Sequence, residues 1–382
     1  MQRVSSRGQV PPFHVMELVA AATRRQQTHG DAIMLCVGQP STSAPDPVRR
    51  EVERVLDTHT LGYTEAKGTL ELRTAISGHY LRHYAVEVDP DEVVVSNGSS
   101  GGFSTVLLAA FEAGDRIAMT RPGYPAYRNT VRALGCEPVE LVCGPETRFQ
   151  PSVAQLESLE QPIDGLIIAS PANPTGTIID AAELATIALW CEANDVLLLS
   201  DEIYHGISFG RPTSTAWQTS RNAVVMGSVS KFHSMTGWRL GWNLLPHSLV
   251  RPVELLQGNL SICAPAISQA GAVAAFAQES ETELVGHVER YARNRDLVLR
   301  RLPELGVTSF APPDGAFYAY CDISHLTDDS QQWCLDVLDR TGVALAPGID
   351  FDPVDGHRFM RLSFCGSTEQ LDQAFDRLAA VV

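Results

Sequence analysis

Between residues 92 and 228 the chain alternates short apolar runs with longer stretches of helical periodicity. EVVVS (92–96), RIAMT (116–120), EPVELV (137–142), GLIIAS (165–170), VLLLS (196–200) and AVVMGS (223–228) read as strands. Several are apolar almost throughout, as strands are when both faces are covered. The clearest helical stretch is DAAELATIALWCEAND, where Asp180 and Glu183 stand at capping-box spacing before an apolar-periodic run. Repeated strand–helix–strand units predict an α/β fold: a three-layer large domain with a mostly parallel sheet and helices on both faces.

The two ends of the chain carry a different pattern. Residues 1–45 are loop-rich with one helical segment, VMELVAAATRRQ. After about residue 280 come a long polar helix, ETELVGHVERYARNRDLVLRRL, and two strand-like runs, GAFYAYCDI and HRFMRLSFCG. This predicts a large unit over 46–280 and a smaller α+β unit over 281–382, which the N-terminal segment 1–45 joins.

Composition narrows the function classes. The net charge is −16 and no long basic run occurs, which argues against a nucleic-acid or anionic-membrane surface. The eight cysteines are scattered with no CxxC pair, a pattern of neither a disulfide framework nor a zinc site. MQRVSSRGQVPPFHV has no apolar core of a signal peptide, and no apolar run is long enough to span a membrane. The expectation is a cytoplasmic chain.

In open α/β sheets ligands sit beyond the carboxyl ends of the strands. Four such ends here carry polar or reactive residues. VLLLS leads into Asp201 and Tyr204, GLIIAS into PANPTG with Asn173, EVVVS into NGSSGG with Ser99 and Ser100, and AVVMGS into Ser228, Ser230 and Lys231. Taken singly, each has an ordinary explanation: a helix cap for Asp201, a turn for PANPTG, a solvated loop for Lys231. Tyr124 in RPGYPAY would be a half-buried turn aromatic. Taken together they supply an amine nucleophile, a carboxylate, phenol and amide donors, and a phosphate site that includes Arg239. That is the set pyridoxal phosphate requires.

The chain resembles the fold-type I, class I/II pyridoxal-phosphate-dependent aminotransferases over nearly its whole length. The resemblance rests on GYTEAKGTLELR (62–73), SNGSSGG (96–102), PGYPAY (122–127), SPANPTG (170–176), SDEIY (200–204), SVSKFHSMTGWRLG (228–241) and MRLSF (360–364), in that order. It implies that Lys231 binds the cofactor as a Schiff base and that Asp201 pairs with the ring nitrogen. Tyr204 and Asn173 would bond the ring oxygen, and Tyr124 would stack on the ring. Ser99, Ser100, Ser228 and Ser230 would share the phosphate with Arg239. Tyr63 is similar to a tyrosine that reaches the phosphate of a partner subunit, which implies a homodimer. Arg361 would fork onto the substrate α-carboxylate, with Gly38 a backbone contact beside it.

The activity so implied is ping-pong transfer of an amino group between an L-amino acid and a 2-oxo acid. C–S and other lyases share the fold and most of these motifs, and fold alone does not choose between them. A related domain also serves as the ligand sensor of some regulators. The positions expected to vary with substrate (Phe13, Val15, Phe232, Ile262 and the 312–318 loop) are more apolar than cationic. They lean toward alanine, branched-chain or aromatic substrates over aspartate. Lys67 is a candidate second cation by its nearness to Tyr63.

Overall fold

The computed structural model describes residues 4–381. Residues 1–3 of the expected N-terminal segment and residue 382 of the C-terminal unit lie outside the described residues. The strands in chain order are β1 (Ile33–Met34), β2 (Val93–Ser96), β3 (Arg116–Arg121), β4 (Glu137–Val142), β5 (Gly165–Ala169) and β6 (Leu197–Asp201). They continue with β7 (Val224–Ser228), β8 (Gly241–Leu244), β9 (Tyr318–Asp322), β10 (Val343–Ala344), β11 (Ala346–Pro347) and β12 (Phe359–Ser363).

Strands β2 to β8 form one seven-stranded sheet in the order β2-β8-β7-β6-β5-β3-β4. All run parallel except β8, which is antiparallel to both its neighbours. The apolar runs read as strands are β2 to β7. β8 falls in GWNL, whose Gly and Asn give no strand signal; it forms because the chain turns back through 229–240 and fills the gap between β2 and β7.

Alternate residues of the strands face opposite layers. Val94, Ile117, Met119, Ile167 and Leu199 pack on the helices Gly98–Ala110, Pro125–Leu134 and His247–Ser261. Val93, Val95, Ala118, Leu166 and Leu198 pack on Leu70–Tyr84, Ala181–Ala193 and Ala266–Ala275. Burial on both faces is why these strands are apolar throughout.

The capping box read at Asp180 does not form. Asp180 precedes the helix Ala181–Ala193 without capping it, and its carboxylate accepts from Arg211 Nη1 at 2.6 Å. The charge partner wins over the local backbone.

A third core cluster gathers Leu18 and Ala22 of the helix His14–His29 with residues of β9 to β12 and of the helices Gln278–Arg301, Ser330–Thr341 and Thr368–Ala379. The strand-like runs near 315–323 and 357–366 are β9 and β12, paired antiparallel with Arg361 opposite Tyr320. β1 pairs parallel with β10, so the N-terminal segment is stitched onto the C-terminal elements. Among the described residues no helix is long and apolar enough to cross a membrane.

Candidate active site

Because β2, β3, β5, β6 and β7 run parallel, their carboxyl ends share one edge of the sheet, and the loops beyond them meet. They line a cavity of about 320 Å³, within the range of small-molecule sites. Ser99, Ser100, Tyr124, Asn173, Asp201, Tyr204, Ser230, Lys231, Arg239, Gly38 and Arg361 all line it.

Lys231 lines it, and Nζ donates to the Gly38 carbonyl at 2.8 Å. Burial lowers the ammonium to about 8, helped by the cations Arg361 and Arg239 and opposed by Asp201. A lysine so placed reaches its neutral, nucleophilic form near physiological pH.

Asp201 ends β6 and is buried. It accepts a hydrogen bond from the Tyr127 hydroxyl on Oδ2 and from the Ile203 N–H on Oδ1 at 3.1 Å. Burial raises the carboxyl, while these donors and Lys231 hold it down. A cationic ring nitrogen meeting it would complete the pairing that burial demands.

The anion end of the cavity is built from the start of the helix Gly98–Ala110. Its N-cap residue, Asn97, makes no side-chain cap, so first-turn N–H groups beside Ser99 and Ser100 remain for an anion. Two glycines make room there. A Cβ on Gly98 would stand 2.5 Å from Arg239 Nη2, and one on Gly241 would stand 2.5 Å from the Ser99 nitrogen. Arg239 Nη1 donates to the Thr236 carbonyl at 2.9 Å, which fixes the guanidinium at the mouth. Ser228 is not among the residues that line the cavity. Its hydroxyl donates to the Leu240 carbonyl at 3.2 Å and accepts from the Ser230 N–H at 3.1 Å.

The Arg361 guanidinium, also on the cavity, lies between two rings, 4.4 Å from the Tyr318 centroid and 4.6 Å from that of Phe351. Its Nη1 donates to Asn173 Oδ1 at 2.7 Å and its Nη2 to the Cys36 carbonyl at 2.6 Å. Nε is buried without a protein partner. A buried donor without an acceptor is costly, and a ligand carboxylate would satisfy it. The Tyr318 hydroxyl bonds that of Tyr204 at 2.8 Å. It lies where a Cβ on residue 38 would fall, 1.7 Å away, so only glycine fits there.

Sequence reasoning passed over Tyr127, Tyr318 and Phe351. Tyr127 belongs to the quoted PGYPAY, one helical turn after Tyr124; that spacing was the available signal. Tyr318 begins β9 instead of sitting in a variable loop. Of the positions expected to vary with substrate, Phe13 and Val15 line the cavity, whereas Phe232 packs on Gly206 and Ile262 is half exposed on the surface. Lys67 is engaged elsewhere, its Nζ 2.6 Å from Asp91. Tyr63 is 82% exposed and takes no part in the cavity of its own chain.

The donor set fits pyridoxal phosphate: an anion cradle, a lysine, a buried carboxylate and a guanidinium whose Nε is unpartnered, all on one cavity. Comparison with known proteins agrees. The profile of the family "Aminotransferase class I and II" matches residues 30–378. The valine–pyruvate aminotransferase of Mycobacterium tuberculosis is 52% identical over 380 residues, 99% of this chain and 98% of that protein. The (5-formylfuran-3-yl)methyl phosphate transaminase of Methanocaldococcus jannaschii is 31% identical, over 96% of this chain and 95% of its own length. Among solved structures, an aminotransferase from Mycobacterium tuberculosis superposes with a TM-score of 0.98 at 52% identity, covering 100% of this chain and 99% of that one. The aspartate aminotransferase of Thermus thermophilus with maleate does so with 0.94 at 28%, both chains covered fully. Likeness of this extent, across both the sheet edge and the C-terminal elements that close the cavity, makes the chain a transaminase of the class I and II aminotransferase family, whose members use pyridoxal phosphate.

Proposed function

We propose that the chain moves an amino group from an aliphatic L-amino acid to a 2-oxo acid by a ping-pong cycle, with pyridoxal phosphate bound covalently to Lys231. When bound, the cofactor supplies an electron sink for the carbanion left on the substrate Cα. Lys231 anchors it between turnovers, and its neutral amine takes the Cα proton and gives it up again. Asp201, oriented by Tyr127, would keep the ring nitrogen protonated. Ser99, Ser100, Ser228 and Ser230 would share the phosphate with Arg239, and Tyr124 would stack on the ring. Tyr204 and Asn173 would bond the ring oxygen. Arg361 grips the α-carboxylate, with the Gly38 backbone beside it. One carboxylate site serves both half-reactions, which is why donor and acceptor alternate.

The observation that carries this is the convergence of Lys231, Asp201 and the unpartnered Arg361 Nε on one cavity. The aliphatic preference draws on Phe13, Val15 and Val37 in the wall, and on the cations there being Lys231, Arg239 and Arg361 among the described residues. The relative named as a valine–pyruvate aminotransferase supports it. Tyr63, solvent-exposed in its own chain, would reach the phosphate of a second copy, giving a homodimer. The large and small units expected over 46–280 and 281–382 would meet at this cavity. A panel of amino donors against pyruvate and 2-oxoglutarate tests the substrate. Valine and alanine should outperform aspartate by about tenfold or more in kcat/KM; equal or better use of aspartate would overturn the preference.

A further inference from the structure

The helix His14–His29 brings Phe13, Val15 and Met16 to the cavity wall, yet nothing in its own sequence caps it. Its N-cap residue is Phe13, which has no side-chain acceptor. The acceptor comes from 336 residues away. Asp350 Oδ1 accepts from the His14 N–H at 2.8 Å and Oδ2 from the Val15 N–H at 2.7 Å. The two oxygens thus hold two consecutive donors, a geometry that sets both the position and the direction of the helix start.

Asp350 is itself fixed. It is 3% exposed and closes the turn Gly348–Asp350, where a Cβ on Gly348 would fall 2.5 Å from the Gly356 carbonyl oxygen. Its own carbonyl accepts from Arg128 Nη2 at 3.3 Å. The next residue, Phe351, stacks on Arg361, and its carbonyl accepts from the Gly123 N–H at 3.0 Å, one residue before Tyr124. Phe13 in turn meets the Tyr124 ring edge-on at 6.2 Å. A single turn therefore touches the carboxylate-binding arginine, the loop of the ring-facing tyrosine and the start of the apolar wall.

We propose that Asp350 is a positioning residue that sets which amino-acid side chains the site accepts, by holding Phe13 and Val15 at a fixed distance from Arg361. This rests on the transaminase cavity described above. A branched side chain fills the space against that wall, whereas the methyl of alanine leaves it largely unused. Loosening the wall should then penalise the larger substrate selectively, since a methylene in a shaped apolar pocket is worth about tenfold or more.

The test compares wild type, Asp350→Ala and Phe13→Ala as holoenzymes, with valine and alanine as donors. In Asp350→Ala the valine-to-alanine ratio of kcat/KM should fall about tenfold with cofactor absorbance retained, and amide exchange at residues 14–18 should quicken while β9 and β12 keep their protection. Phe13→Ala should lower the same ratio with the 348–352 turn intact, and the double variant should fall little further, because both act on one wall. A loss equal for both donors, or unchanged exchange at 14–18, overturns the proposal. A wild-type protein that transaminates neither donor overturns the functional reading instead; the exchange comparison still decides whether Asp350 holds the helix.

Discussion

Lys231 Nζ and the carbonyl oxygen of Gly38 are 2.8 Å apart, joining the loop after β7 to the N-terminal segment across 193 residues of sequence. The contact is possible because residue 38 has no Cβ to collide with the Tyr318 hydroxyl. It also leaves the amine with one weak acceptor and no carboxylate within salt-bridge distance among the described residues, so burial dominates its titration.

The pH dependence follows from that burial. With the amine lowered to about 8, capture of pyridoxal phosphate by cofactor-free protein should accelerate up to about pH 8 and then level off. An ordinary lysine would keep gaining to about pH 10. The linkage has a definite sign: the folded state releases this proton before the unfolded state does, so this group makes stability rise with pH between about 8 and 10.4. Stopped-flow absorbance across pH 6–10 (roughly the range separating the two cases) reads the first effect. A rate still rising at the alkaline end would contradict the lowered amine.

Asp201→Ala should cost about 100-fold or more in kcat while the circular dichroism of the fold is kept. Tyr127→Phe should cost less, because Asp201 retains the Ile203 N–H and loses only one donor. Near-normal turnover in Asp201→Ala would reduce this carboxylate to a loop-shaping role.

For Arg361, truncation to alanine should weaken kcat/KM for aliphatic, aromatic and acidic donors by a similar factor. The loss corresponds to about 2–5 kcal/mol for one partner of a buried charged pair. Lysine should restore only part, since a point charge supplies neither the fork nor the stacking between Tyr318 and Phe351. A loss confined to acidic donors would place the distal carboxylate at Arg361 instead.

What the chain disclosed before folding was the part governed by local rules. Continuous apolar runs marked β2 to β7, and their polar ends marked Asp201, Asn173, Ser99 and Lys231, because a parallel sheet brings strand ends together. β8 escaped because its place between β2 and β7 is set by the tertiary gap it fills. The Tyr127–Asp201 bond, the Tyr204–Tyr318 pair and the Asp350 hold on His14 and Val15 link residues 74, 114 and more than 330 positions apart. No periodicity records such pairings.

Lys231 is proposed to be the residue that carries the cofactor. Loading the protein with pyridoxal phosphate, reducing it with borohydride and mapping the product by peptide mass spectrometry tests it most directly. The expected result is a yellow protein before reduction and a single pyridoxyl adduct on the peptide containing Lys231, absent in Lys231→Ala. A colourless protein, or an adduct on Lys67 with Lys231 unmodified, would contradict it.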